Sequence, residues 1–483
     1  MDLEPFFRPK SVAVIGASRE PRKFGHVIFK NFVESEFAGK TYPVNPKAET
    51  ILGSKAYPSL KEVPGELDLA VIAVPAAIVP SVIDDCLSKN VKAAVIISGG
   101  FREVGEKGEK LELEIKEKTE GGNLRIIGPN CIGVYDPSNH VDTLFLPTYR
   151  LRRPKAGPIA FISQSGAFGS AILDWAASQD IGISKFISIG NKIDIDEVDL
   201  LSYLADDPLT KCITVYVESI GRGREFLKTA SRVTKSKPLI VLKGGTTQEG
   251  ALAALSHTGS LAGSAKIYKG ALEQAGAIQA QTVDELFDYA RVLAYQPVPE
   301  NQKDIAIVTN GGGFGVISTD EVSKLDLKLA SFSPETLKRL REELPDYAIP
   351  HNPLDLVGDA DVERYRLALD AVSSDPNVGI ILVIVLLQTS YIESDVVDAI
   401  TESQVTHGKP TIVCTIGGEF TQMLVKMLEE DHIPSYVTPE RAVNAVNALI
   451  KYRKALEDKE KRRIGFMSST EESKSLKNGL KET

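Results

Sequence analysis

Apolar residues fall in short runs separated by longer amphipathic stretches along almost the whole chain. The runs Val12–Ile15, Leu69–Val74, Ala93–Ile97, Ile159–Ile162, Ile213–Val217 and Leu239–Leu242 have the length and β-branched content of buried strands. The stretches between them are long enough for helices. This rhythm predicts βαβ units and mostly parallel sheets. Two stretches rich in proline and polar residues, Pro147–Pro158 and Tyr295–Asp304, read as linkers. The expected organisation is therefore an α/β domain over 1–150, a second over 151–298, a third over 299–455, and a charged tail over 456–483 in which a helix frays into flexible chain.

The second and third domains repeat one another. IAFISQSGAFG at 159–169 matches IAIVTNGGGFG at 305–315, DPLTKCITVYVES at 207–219 matches DPNVGIILVIVLL at 375–387, and KPLIVLKGG at 237–245 matches KPTIVCTIGG at 409–418. The matches keep their order, with offsets of 146, 168 and 172 residues, as expected of two copies of one domain with insertions in the second.

Composition narrows the function classes. The net charge of −9 argues against general nucleic-acid binding. Yet eight Lys/Arg face three Glu between Arg8 and Lys47, which marks that segment for a phosphate-bearing ligand. Cys86, Cys131, Cys212 and Cys414 are scattered, with neither metal spacing nor a disulfide framework. The longest uncharged apolar run, near Gly379–Leu387, is too short to span a bilayer. The N-terminus lacks the layout of a signal peptide, so a cytoplasmic location is the expectation.

The first candidate site is SVAVIGASREPRKFG at 11–25. A strand ends in Gly16, Ala17 and Ser18, and a helix begins near Lys23, Phe24 and Gly25, an arrangement that lets backbone approach a phosphate. It is not the dinucleotide fingerprint, and Asn45 stands where an acidic ribose ligand is usual. NAD is thus disfavoured, and Lys47 suits a nucleotide with an extra phosphate. Val74 and Pro75, then Ser98, Gly99 and Gly100, then Asn130 in GPNC, stand at later strand ends of the same domain, where open α/β sheets bind ligands. Singly, each is also an ordinary turn. The repeated turns Ser163, Gln164, Ser165, Gly166 and Asn310, Gly311, Gly312, Gly313 each join a strand to a helix, the setting of a phosphate trap.

His257, one of six histidines, lies in ALSHTGSLAG among small and hydroxylated residues. No metal-ligand partners stand at suitable spacing, and no Gly-x-Ser-x-Gly elbow supports a hydrolase triad. A nucleophilic imidazole is the remaining reading. It needs an acceptor on its other ring nitrogen, and Glu218, at a strand end of the same domain, is the candidate. The second copy has Gly417-Gly418-Glu419 there and no histidine in the residues that directly follow.

Together the GAS turn, GPNCIG, SQSGAFG, VESIG and SHTGSLAG resemble the α subunit of ADP-forming acyl-CoA synthetases, including acetyl-CoA synthetase, and are similar to the α subunit of succinyl-CoA synthetase. The resemblance covers about residues 5–455. It implies a Rossmann-like CoA-binding domain followed by two flavodoxin-like domains. His257 would carry a phosphoryl group, Glu218 would orient it, and the 163–166 and 310–313 turns would hold its phosphate. It also implies a separate ATP-grasp β subunit in an α2β2 heterotetramer, with ADP or ATP and Mg2+ bound mainly there. No room for that module remains in this chain. A succinate-specific ligase subunit and a non-catalytic CoA-binding regulator are the alternative readings.

Overall fold

The computed structural model describes residues 2–252, 264–300 and 303–479, with side chains to residue 461. The chain forms two compact units: Met1–Ala275 with Gln279–Gln281, and Gly276–Ile278 with Thr282–Thr483.

Among the described residues, the first unit holds two large sheets. In the first, parallel strands lie in the spatial order Lys40–Val44, Ser11–Ile15, Leu69–Ile72, Ala93–Ile96, Arg125–Ile127. Every residue of Ser11–Ile15, Leu69–Ile72 and Ala93–Ile96 is buried. Helices cover both faces of such a sheet, which is why its strands are uninterrupted apolar runs. Cys86 lies in this core, and all four cysteines are buried and free. Burial pushes the thiols of Cys86, Cys131 and Cys414 up to about 12, so they are inert packing residues.

The second sheet runs Ile278–Ala280, Leu239–Lys243, Cys212–Val217, Ala156–Ser163, Ile183–Ser188, Val134–Asp136, Val141–Asp142. Its last two strands precede the Pro147–Pro158 stretch in sequence, and Val134–Asp136 pairs antiparallel with Ile183–Ser188. Pro147–Pro158 is itself tied down. The Arg153 guanidinium meets Asp142 at 2.7 Å and donates to the carbonyls of Leu151 and Leu146.

The second unit contains a parallel sheet in the order Leu354–Asp355, Ile305–Thr309, Ile380–Ile384, Thr411–Cys414, Ser435–Tyr436. The helix Val283–Tyr295 belongs to this unit: Arg441 forms a bidentate pair with its Asp288 at 2.7 and 2.8 Å. The C-terminal helix Pro439–Gly479 continues through much of the charged segment. No helix among the described residues is long and apolar enough to cross a membrane.

Numbered along the chain, the five parallel strands of the first and third sheets follow the order 2-1-3-4-5, and so do the corresponding five of the second. The duplication extends to single hydrogen bonds. Ser163 Oγ donates to Ser165 O, and Thr309 Oγ1 donates to Gly311 O. Gln164 Oε1 accepts from Glu218 N, and Asn310 Oδ1 accepts from Leu386 N, each at 2.8 Å. Glu218 and Leu386 therefore occupy equivalent strand ends.

Candidate functional site

In a sheet of order 2-1-3-4-5 the ligand crevice opens between the first and third strands, at their C-terminal ends. A cavity of about 570 Å³ lies there in the first sheet, lined by Gly16, Ser18, Arg22, Lys23, Phe24, Gly25, Asn45, Lys47, Ala73, Val74 and Pro75. Its floor is backbone in close approach. Gly16 has φ +88°, and a Cβ on Gly25 would lie 2.0 Å from Gly16 O, so only glycine lets the helix Phe24–Glu34 start against this loop. Asn45 ties the walls together: its Nδ2 donates to Ala17 O at 2.6 Å and its Oδ1 accepts from Lys47 N at 2.8 Å. Both ends of the amide are committed to backbone, so Asn45 shapes the pocket. Arg22, Lys23 and Lys47 bring positive charge to a helix N-terminus, the combination that receives phosphates. The exposed ring of Phe24 stacks on Phe145 with centroids 4.1 Å apart, an aromatic wall beside the cations. A hollow of about 590 Å³ lies at the other end of the same strands, beside Ser11, Lys40, Asp68 and Lys92.

The later strand ends continue from this cavity. Ser98 Oγ donates to Val74 O at 2.5 Å, and Asn130 N donates to Ser98 O at 2.9 Å. A Cβ on Gly100 would sit 3.2 Å from Ala76 Cβ, and one on Gly99 3.2 Å from Asn130 Oδ1. Glu103 fixes the turn by accepting from Gly100 N at 2.6 Å, Phe101 N at 3.0 Å and Asn191 Nδ2 at 2.8 Å. Burial acts to raise Glu103, but these hydrogen bonds hold its carboxyl below the usual range. Asn191 also accepts from Asn130 Nδ2 at 3.4 Å. Two residues beyond Asn130, Ile132 donates its N–H to Ser188 Oγ and packs on Gly166. The strand ends of the first sheet are thus joined to the turn of the second.

That turn opens the helix Gly166–Ser178. Ser165 is its N-cap, accepting from Phe168 N at 3.3 Å. The amides of Gly166 and Ala167 have no intrahelical acceptor, and small side chains leave them approachable. Gln164 points the other way and grips the end of strand Cys212–Val217 through Glu218 N and Ser219 N at 2.8 and 3.1 Å. Glu218 is buried, and its Oε1 accepts from Tyr216 OH at 3.3 Å. Tyr216 is held in turn by stacking on Phe168, centroids 4.0 Å apart. Lys192 supports the next residue, donating to Ser219 O at 2.8 Å and to the buried Glu197 at 3.1 Å. Glu218 and the helix start are therefore parts of one assembly. His257 lies outside the described residues, in sequence after strand Leu239–Lys243 of the same sheet.

Known proteins fit these features. Residues 10–137 match the CoA binding domain model, and residues 156–293 match the succinyl-CoA ligase like flavodoxin domain. The α subunit of ADP-forming acetate-CoA ligase II of Pyrococcus furiosus is 42% identical over 458 residues, covering 94% of this chain and 98% of that one. The chain belongs to the α subunit family of ADP-forming acetate-CoA ligases. Among solved structures, the dinucleotide-forming acetyl-coenzyme A synthetase 1 of Ca. Korarchaeum cryptofilum, in complex with phosphate and ADP, superposes with a TM-score of 0.89 at 39% identity, covering 94% of this chain and 98% of that one. ADP-forming acetate-CoA ligase I of Archaeoglobus fulgidus is 42% identical over 452 residues, covering 94% of this chain but 64% of that one.

Within this ligase subunit, the second turn differs from the first. Asn310 clamps Leu386 through both ends of its amide, at 2.8 and 3.0 Å, and Gly311 caps the helix Gly312–Lys324. A Cβ on Gly312 would lie 2.6 Å from Asp355 Oδ2, so a carboxylate already stands at this helix start. The first turn has Ile132 and Ser188 Oγ at the matching place and is the better anion seat. Several supporting residues are not among the candidates read from sequence. Arg22 was legible as part of the basic run. Glu103, Asn191, Lys192 and Tyr216 were not, because each acts through a partner distant in sequence.

Proposed function

We propose that this ligase subunit binds CoA in the crevice of the first sheet and passes a phosphoryl group through His257, making ATP from acyl-CoA, ADP and phosphate. The observation that carries this reading is the buried Glu218, whose backbone amide Gln164 grips two residues before the helix start at Gly166 and whose carboxylate accepts from Tyr216 OH, in a chain aligned over 94% of its length with an acetate-CoA ligase α subunit. CoA fits the crevice: backbone close enough to cradle phosphate, three cations and an aromatic ring.

The chemistry runs in three steps. A phosphate oxygen attacks the thioester carbonyl, the C–S bond breaks, and CoA leaves as the thiol. A ring nitrogen of His257 then attacks phosphorus, the P–O bond to the acyl oxygen breaks, and the carboxylate departs. Finally ADP takes the phosphoryl group, the N–P bond breaks, and the imidazole is neutral again. Glu218 accepts the other ring N–H, so the attacking nitrogen keeps its lone pair. The amides at Gly166 and Ala167 balance charge on the moving phosphoryl group, as positioning and electrostatics do in phosphoryl transfer. The 310–313 turn offers amides of the same kind at the start of its own helix, with Asp355 beside them.

ADP with Mg2+ binds mainly on a separate ATP-grasp β subunit, in an α2β2 assembly working in the cytoplasm. In support, some relatives are longer single chains, of which this chain covers 64%, whereas relatives named as α subunits are covered at 98%. Acetate is the proposed acid, since the relatives covered at 98% are acetate-CoA ligase subunits, although a 4-hydroxybutyrate-CoA ligase at 38% identity shows that the acyl group varies among relatives. The test is incubation with acetyl-CoA and radiolabelled phosphate. Acid-labile label on the wild type and none on His257→Ala is expected. Label retained on His257→Ala would reject the histidine. A non-catalytic CoA-binding protein would take no label at all.

A further inference from the structure

We propose that Lys243 is a positioning residue of the phosphoryl-transfer site, supplying through Glu218 and the adjoining turn the positive charge that the reaction leans on. The inference rests on the reading of His257 and Glu218 given above. Lys243 is the last residue of strand Leu239–Lys243, immediately before Gly244 and the histidine-bearing segment. It is only 5% exposed. Its ammonium lies 4.8 Å from the centroid of the Tyr268 ring and donates to Gly244 O. A Cβ on Gly244 would meet Tyr216 OH at 2.7 Å and Glu218 Cγ at 3.5 Å, so the backbone that Lys243 holds packs directly on the Glu218 side chain. Tyr268 also accepts from Ile220 N, in the turn that Glu218 begins.

A buried lysine could be a fold requirement, and the internal repeat separates the two roles. Thr415 is the equivalent of Lys243 in KPTIVCTIGG. Its Oγ1 donates to Val385 O at 2.7 Å, and the same strand order, turn and amide clamp form around it. The fold is therefore built without the lysine. The second copy lacks three charged or reactive groups together: Leu386 replaces Glu218, Thr415 replaces Lys243, and no histidine stands between Gly417-Gly418 and the end of helix Glu419–Glu430, the next one being His432 beyond that helix. A cation that disappears with the carboxylate and the nucleophile belongs to their chemistry. A desolvated ammonium acts strongly here because little water screens it.

The groups acting on Lys243 are Glu218, through charge, and the ring of Tyr268; Tyr216 acts on Glu218, and Glu197 on Tyr268. Burial holds the ammonium below the ordinary lysine value, and the Glu218 carboxylate opposes that shift. Burial moves both tyrosines the other way, Tyr216 to about 12. Lys243 thus loses its charge below the ordinary lysine value, while Tyr216 keeps its proton to about 12.

The experiment measures phosphoenzyme formation from acetyl-CoA and radiolabelled phosphate across pH 6–10.5, using the full chain with its β partner. Lys243→Met should form phosphoenzyme at least about tenfold more slowly, while CoA affinity and melting temperature stay near wild type. Lys243→Arg should recover much of the rate, and the alkaline fall seen in the wild type should vanish, because a guanidinium does not titrate there. Lys243→Thr, copied from the second repeat, should fold as stably as the wild type and behave like Lys243→Met. Wild-type rate in Lys243→Met, or an alkaline limb unchanged in Lys243→Arg, would overturn the proposal. Label surviving on His257→Ala would instead overturn the reading beneath it.

Discussion

Glu218 is held by its backbone and acts through its side chain. Gln164 grips the amides of residues 218 and 219, bonds that no side chain at 218 alters, and Leu386 sits under the same grip in the second copy. Glu218→Gln keeps an oxygen for Tyr216 OH to reach. It should therefore unfold within about 1 kcal/mol of the wild type. An amide cannot stabilise the imidazolium-like charge that develops, so phosphoenzyme formation should slow by about 10²–10⁴-fold. Full-rate labelling of this variant would remove Glu218 from the reaction. Gly25 gives the opposite pattern, a residue whose side chain must be absent. A methyl group there would press on Gly16 O from 2.0 Å, with backbone on both sides of the clash. Gly25→Ala should cost about 1–3 kcal/mol in urea unfolding and weaken CoA binding together. At Gly313, where nothing lies within 4 Å, the same substitution should leave stability unchanged or raise it slightly. Equal effects at the two positions would show that packing at the crevice floor does not limit it.

At the scale of elements, the helix Glu197–Asp206 is fastened to the turn after Glu218 by charge. Asp196 and Asp199 form a capping box, and Arg222 bonds to both carboxylates. Burial acts to raise Asp196, but the Arg222 hydrogen bonds outweigh it and hold the carboxyl below the ordinary aspartate value. Burial raises Asp199, against backbone bonding and Arg222. The signs then set the acid behaviour. The depressed Asp196 contributes stability above its unfolded value of about 3.9, lost as pH falls through the folded value. Asp199 takes up its proton at a higher pH, so the attraction erodes first there. In urea titrations the advantage of the wild type over Arg222→Gln should be level near neutrality, shrink on acidification as Asp199 protonates, and vanish only as pH falls through the depressed folded value of Asp196. A difference that does not change on acidification would mean that Arg222 acts by packing alone. This network also marks where sequence reading stops. The parallel strands were legible because burial on both faces leaves uninterrupted apolar runs, as at Leu69–Ile72 and Ala93–Ile96. The ribbon Val134–Asp142 was not, because its partner strand begins at Ile183 and nothing in its own short runs names that sheet. Pro147–Pro158 read as a linker because the Arg153 pairing with Asp142 has no local periodicity. The turns at 16–18, 98–100 and 163–166 were legible as small residues at strand ends. Lys243 stands in sequence only as the residue before two glycines, since its meaning comes from Tyr268 and Glu218 meeting it in space.

Across the whole molecule, the division into two units falls at neither of the proline-rich stretches. Strand Ile278–Ala280 lies at the edge of the second sheet beside Leu239–Lys243, whereas the helix just after it buries Leu286, Phe287 and Val292 in the other unit. Apart from Gly276–Ile278, which group with the second unit, the chain passes from one unit to the other after Gln281, with a separate apolar core on each side. A fragment of residues 1–281 retains the crevice of the first sheet, the clamp on Glu218 and the edge strand. It should melt cooperatively and bind CoA within about threefold of the full chain, a difference of roughly 0.6 kcal/mol. A fragment ending at Ala275 loses the edge strand and leaves Leu239–Lys243 unpaired along one side, so it should be less stable and prone to associate. Calorimetry on the two fragments and the full chain reads both outcomes. Weak CoA binding by a folded 1–281 fragment would show that the second unit shapes the crevice. Equal stability of the two fragments would show that Ile278–Ala280 adds nothing to its sheet. The strand matters to function as well as to stability, because it shields the flank of the strand that ends in Lys243, and Lys243 is where the histidine-bearing segment begins.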